Sequence, residues 1–214
     1  TGPILVEGAE AGDLVALTIL ETTPRVPYGV ISNRHGRGAL PGELPRTPGT
    51  VSVFTTVGER DGDLVGRLPV TEGGEPVVEF PLQPFLGVMG VAVPGEDRPL
   101  PVPPGRHGGN IDIGLHTAGS TLYLPVQVPG ALAYLGDPHF AQGDGEVALT
   151  ALEASLRVTV RFDLVKQAKE AGWKAPADHP DLVATKETGR LARLFANLAT
   201  DADSTKLPTD YQTQ

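Results

Sequence analysis

Glycine and proline interrupt this chain so often that no regular element can run far before it must turn. The 27 Gly and 21 Pro make up 48 of 214 residues and fall mostly between short β-like runs instead of forming one low-complexity block. Proline fixes φ and removes an amide donor, while glycine takes positive φ without a steric penalty, so this punctuation calls for many strands joined by tight turns. Residues 4–7 and 14–20 read as strands around a turn at 8–13, the second apolar on both faces and therefore buried. From 23 to 50 the prolines at 24, 27, 41, 45 and 48 and the glycines at 29, 36, 38, 42 and 49 predict one extended surface loop. Strands are expected at 51–57, 64–70 and 77–80. Residues 85–93 form an apolar core run in which Gly87 and Gly90 mark bulges or close backbone approach. Two further strands, 121–128 and 131–135, flank the turn Pro129-Gly130.

The clearest periodicity follows these. Leu156, Val158, Val160 and Phe162 alternate with Ser155, Arg157, Thr159 and Arg161, the pattern of a strand with one face in the core and one in water. Beyond it the character changes. Residues 164–171 suit a short helix, Leu191, Leu194, Phe195 and Leu198 share a helical face, and the tail from about 199 is polar and frayed. The sequence therefore predicts a mainly β fold with a short helical C-terminal segment, divided into a β-rich domain over 1–165 and a helical, partly flexible segment over 166–214. The start at Thr1, without methionine, reads as a fragment or a processed chain.

Charge and cysteine narrow the function classes. With 17 Lys plus Arg against 26 Asp plus Glu the formal charge is −9, which opposes a strong grip on nucleic acid, since binding a polyanion draws on clustered cations. No stretch approaches the roughly 20 apolar residues of a membrane-spanning helix, and no export signal precedes the first strand. The expected setting is the cytoplasm. The lack of cysteine excludes disulfides, thiolate metal sites and a cysteine nucleophile, leaving imidazole, carboxylate, carbonyl and water as metal ligands.

Two glycine-rich loops concentrate side chains able to bind metal or move protons. The first is Pro104-Gly105-Arg106-His107-Gly108-Gly109-Asn110-Ile111-Asp112; the second is Asp137-Pro138-His139-Phe140-Ala141-Gln142-Gly143-Asp144-Gly145-Glu146. A hydrolytic metal site requires neutral imidazole and carboxylates around the ion, an open position for water and a further carboxylate to take its proton. His139, Asp137, Asp144 and Glu146 supply that mixture within ten residues, and holding three carboxylates close costs Coulomb energy unless a cation or a shared proton offsets it. The bland alternatives are a tight turn for His-Gly-Gly-Asn, since Gly and Asn tolerate positive φ, and a solvated loop for the acidic segment. Neither segment matches a standard metal or phosphate pattern. His35, His116 and His179 read as structural or exposed. A serine-hydrolase elbow is missing, and Ser120 is at most a substrate-positioning group.

These blocks, with Thr1-Gly2-Pro3-Ile4, Val6-Glu7-Gly8-Ala9-Glu10, the run from Pro84 to Ala92, Gly119-Ser120-Thr121-Leu122-Tyr123-Leu124-Pro125-Val126 and Val128-Pro129-Gly130-Ala131-Leu132, resemble the acetamidase/formamidase family in the same order over 1–165. The resemblance implies a sandwich-like β fold, metal-dependent hydrolysis of short linear amides to carboxylate and ammonia, and a cytoplasmic homo-oligomer. The cofactor it implies is a divalent metal, zinc in the first place and calcium as the alternative. By motif position Asp112, Asp137 and His139 become the metal ligands and Glu146 the general base or a further ligand. His107 and Asn110 bind the substrate carbonyl or a second ion, Gln142 and Asp144 orient the ligands, and Gly108 and Gly109 let the backbone approach the substrate. The expected chemistry is attack on the amide carbonyl by a water of lowered pKa. Ile111 stands where the family motif has Met, the Asn-Arg-Asp run after Asp112 is missing, and the stretch that precedes the Thr-Gly-Pro block in the family is absent. The chain is thus expected to be an N-terminally incomplete member, divergent at its C-terminus, acting on an amide or amidine-like substrate other than acetamide. The rival readings are a non-catalytic β-sandwich that binds a metal or ligand, and a folded but inactive remnant.

Overall fold

The computed structural model describes residues 2–70, 74–96, 100, 102, 104–143 and 145–167, together with the backbone of 182–183. Among the described residues the chain is all strand and turn, with no helix. The strands are β1 (Leu14–Pro24), β2 (Tyr28–Arg34), β3 (Thr50–Arg60), β4 (Asp63–Pro69), β5 (Val77–Pro81), β6 (Phe85–Gly90), β7 (Gly108–Asn110), β8 (Thr121–Pro125), β9 (Tyr134–His139), β10 (Leu156–Val165) and β11 (Leu182–Val183). The described residues form two compact units that alternate in sequence: those within 2–21, 86–137 and 158–167 make the first, and those within 22–85 and 138–157 the second.

The first unit has a sandwich-like core. Strands β10-β1-β8-β11 form one sheet and β7-β6-β9 another. In β1 the residues Val15, Ala16 and Leu17 are all buried, as an apolar run with no polar face requires, and β1 pairs antiparallel with β8 through Val15↔Leu124 and Leu17↔Leu122. Leu86, Met89 and Val91 meet the same cluster, so both sheets bury side chains in one core. Each fully buried leucine or valine of this set contributes about 1.5–3 kcal/mol of transfer free energy. On β10 the burial alternates along its length, with Val158, Val160, Phe162 and Leu164 packed on the core and the residues between them in water. At the end of β10 the chain is clamped. The buried carboxylate of Asp13 accepts hydrogen bonds from Lys166 Nζ at 2.7 Å, the Gln167 amide at 2.8 Å and the Glu10 amide at 2.9 Å.

The second unit is built on an antiparallel meander, β2-β3-β4-β5. Two glycines make room in it for neighbours: Gly66 lies under the Phe80 ring opposite it, and Gly29 lies against Leu152 and the Glu153 carbonyl. On the exposed face Arg67 donates across the sheet to Glu79 at 2.8 Å.

Four expectations from the sequence change. The loop foreseen over 23–50 contains β2, whose seven residues pair in register with β3 from Tyr28↔Thr56 to Arg34↔Thr50; 25–27 and 35–49 are irregular. The strand foreseen at 4–7 is reduced to a single bridge, Ile4↔Ala133. The strand foreseen at 131–135 starts at Tyr134, because Ala131 and Leu132 adopt φ of 55° and 51°, which no ladder admits. The short helix foreseen at 164–171 begins instead as strand, with Leu164 and Val165 completing β10 and Lys166 and Gln167 in a turn. The rest of that helix, the face of Leu191, Leu194, Phe195 and Leu198, and His179 lie outside the described residues.

Candidate active site

In the second unit the site is organised by His139, the last residue of β9. Phe140 donates its amide to the Leu152 carbonyl and Leu152 returns one to Ala141, while His139 and Glu153 form a bridge pair, so 139–141 and 151–153 run antiparallel around the loop 142–150. That pairing faces Glu153 toward His139. The imidazole is 1% exposed, with Nε2 at 3.2 Å from Glu153 Oε1 and 3.8 Å from Glu146 Oε1. The Phe85 ring meets the imidazole edge-on at 4.8 Å between centroids. Glu146 is held from behind: the Ala151 amide donates to its Oε1 at 3.0 Å, which fixes the carboxylate at the start of the loop's return.

Two carboxylates converging on one buried imidazole nitrogen must be balanced by a proton on the ring or by a cation, because anionic groups so placed repel one another. Ligand atoms sharing a tetrahedral zinc stand about 3.4 Å apart when bond lengths are near 2.1 Å, and the separations of 3.2 and 3.8 Å lie on either side of that value. The donor set of one imidazole and two carboxylates therefore fits a divalent cation of the zinc class.

The first unit holds the other block. Gly105 and Gly108 exchange both amide hydrogen bonds, at 2.8 and 2.9 Å, so Arg106 and His107 form the tip of a two-residue hairpin. The tight-turn reading of His-Gly-Gly-Asn thus describes the local backbone. The His107 ring lies over Gly105, its Nε2 is buried with no hydrogen-bond partner among the described residues, and burial pulls its pKa below the usual histidine value. Gly108 is required sterically: at φ 80° a Cβ there would stand 2.2 Å from the Met89 carbonyl oxygen. Gly109 pairs with Met89 and Asn110 with Val88. The Asn110 side-chain amide donates to the Asp112 carboxylate, and Asp112, at φ 48°, gives its own amide to the Gly87 carbonyl. Asp137 also takes a left-handed conformation, at φ 56°, inside β9. Such conformations cost little for aspartate but are uncommon outside turns.

Of the residues singled out by sequence, His139 and Glu146 are thus brought together in the second unit, and Asn110 and Asp112 in the first. Gln142 lines a cleft in the second unit, and Asp144 lies outside the described residues. Glu153 was not foreseen. Its signal is weak in sequence, an acid after the apolar pair Ala151-Leu152, and only the pairing across the loop relates it to His139. His35 Nδ1 bonds the Pro45 carbonyl at 2.8 Å, and Ser120 gives its hydroxyl to the Thr117 carbonyl at 2.8 Å. His116 is buried, 1% exposed, with neither ring nitrogen partnered among the described residues, and burial lowers its pKa to about 4.

Both described blocks fall in one region of known protein families. Residues 95–191 match the model of the Acetamidase/Formamidase family. A formamidase from Methylophilus methylotrophus is 30% identical over 244 residues, covering 94% of this chain and 60% of that protein. An acetamidase from Mycolicibacterium smegmatis is 30% identical over 225 residues, covering 79% and 54%. Among solved structures, acetamidase from Bacillus halodurans superposes with a TM-score of 0.64 at 38% identity over 77% of this chain and 51% of that one. Acetamidase from Yersinia enterocolitica does so with 0.61 at 30% identity over 81% and 50%. The mainly β fold is therefore that of the solved acetamidase structures. The chain belongs to the acetamidase/formamidase family. It spans 60% and 54% of the length of the two curated relatives named.

Proposed function

We propose that this chain carries the amide-hydrolysing centre of a metal-dependent formamidase or acetamidase, cleaving the C–N bond of a small linear amide to a carboxylate and ammonia. The observation that supports it most is the buried His139 with Glu146 and Glu153 at its Nε2, inside the region that matches the family. His139 and Glu153 would hold the cation. When bound, a divalent cation of the zinc class supplies Lewis acidity to the carbonyl and to water.

The remaining roles belong to the chain itself. Glu146, whose Oε1 accepts from the Ala151 amide, would take a proton from water and pass it to the leaving nitrogen. His107 and Asn110 keep the role expected from sequence, binding a carbonyl, and burial pulls the His107 pKa below the usual histidine value. The backbone at Gly108 and Gly109 leaves room for a small substrate.

The test is ammonia release from formamide, acetamide, propionamide and urea by protein analysed for metal, then chelated, then reloaded. Release that disappears on chelation and returns with zinc is the expected result. Bound metal without turnover of any amide would replace this reading with the non-catalytic binding module.

A further inference from the structure

The second unit contains a cleft that formamide and acetamide would leave largely empty. Its volume is about 570 Å³, within the roughly 300–1,000 Å³ range of small-molecule sites. Leu152 forms a buried floor, Ile31 and Phe80 form the sides, and Val147, 60% exposed, stands at the rim. Its polar lining includes the neutral groups of Gln83 and Gln142, and none of the described lining residues carries a charge. A lining that is neutral and mostly apolar suits a neutral molecule with an apolar body.

The cleft shares its wall with the candidate active site. Gly145 and Val147, the residues on either side of Glu146, both line it. So does Ala151, whose amide holds the Glu146 carboxylate at 3.0 Å. The same loop therefore presents the carboxylate and forms the lining.

Resting on the amidase reading, we infer that this cleft is the acyl subsite of the enzyme. The substrate it selects is a primary amide whose acyl group is apolar and of about four to eight carbon atoms, or a single aromatic ring. Such a group would displace water from Ile31, Phe80 and Leu152, while a formyl or acetyl group would reach none of them.

The experiment compares kcat/KM for acetamide, hexanamide and benzamide on the metal-loaded full chain and on two variants that fill the cleft, Ala148→Phe and Val147→Phe. The second changes an exposed rim residue and keeps the test usable if the first does not fold. The expected result is a preference of at least about tenfold for hexanamide or benzamide over acetamide, abolished by the filling variants. Acetamide as the best substrate, or variants that lower all three rates equally, would overturn the acyl subsite and leave amide hydrolysis standing. If no amide is turned over, the amidase reading fails separately, and saturation-transfer NMR with hexanamide decides the cleft. A signal lost in Val147→Phe retains a site for neutral amides, and no signal in the parent protein overturns it.

Discussion

At the scale of single residues, Glu146 and His116 carry the most informative predictions, one for function and one for stability. Glu146→Gln keeps the shape and the acceptor for the Ala151 amide but removes the base. It is expected to lower kcat by about 10²–10⁴-fold while the urea midpoint hardly moves. Unchanged turnover would remove Glu146 from the chemistry. His116 has a folded pKa of about 4 against 6.5 for an exposed histidine. Between those values the unfolded chain binds a proton that the folded chain refuses. The stability due to a neutral His116 is therefore complete above about pH 6.5 and is lost as pH falls toward 4, by about 3 kcal/mol at most. His116→Leu should flatten the acid limb of the urea midpoint against pH in that window, and an unaltered limb would show that His116 is hydrated. The sequence suggested His139 and Glu146 because imidazole and carboxylates crowd one glycine-rich loop. It hid Glu153 and the burial of His116, since both depend on which segments pair and pack, and neither leaves a local pattern.

At the scale of elements, legibility follows how far each strand depends on its own residues. β10 could be read directly because half burial imposes a period of two, and β1 because burial on both faces leaves an unbroken apolar run. β2 could not. Its sequence, Tyr28-Gly29-Val30-Ile31-Ser32-Asn33-Arg34, lies among prolines and glycines, and the ladder with β3 and the Glu153 bridge make it a strand. The start of β9 was displaced by positive φ at Ala131 and Leu132, residues whose type gives no warning of it. The clamp at the end of β10 gives an element-scale prediction. Burial alone would raise the Asp13 pKa, but the bonds from Lys166, Gln167 and Glu10 and the Lys166 charge bring it below the usual carboxylate value. A depressed folded pKa means that the stabilisation is complete above pH 3.8 and is lost as pH falls through the folded value below it. Asp13→Asn should cost about 1 kcal/mol at pH 7, a modest figure because Lys166 is half exposed and screened by solvent. The gap between variant and parent in urea midpoints should narrow below pH 3.8, and a gap independent of pH would assign the effect to packing.

At the scale of the whole molecule the relevant quantity is the formal charge of −9, which acts on any charged ligand that approaches and on no neutral one. A linear amide is neutral, and the described lining of the cleft is neutral as well. The field of the protein therefore has nothing to steer. Lowering salt from about 0.1 M to about 0.01 M lengthens the screening distance from about 10 Å to about 30 Å, which would multiply the encounter rate of a cationic substrate and depress that of an anionic one. With an amide, kcat/KM should stay within about twofold over that range, measured by ammonia release at fixed pH and fixed metal loading. A steep fall with added salt would identify a cationic substrate, such as an amidine, drawn in by the acidic surface, and would move the substrate class away from amides. A rise with added salt would identify an anionic one held off by the same field. Because the carboxylate product is anionic, its inhibition constant should weaken as salt is lowered even though turnover of the amide does not change, so one titration separates the charge of the substrate from that of the product.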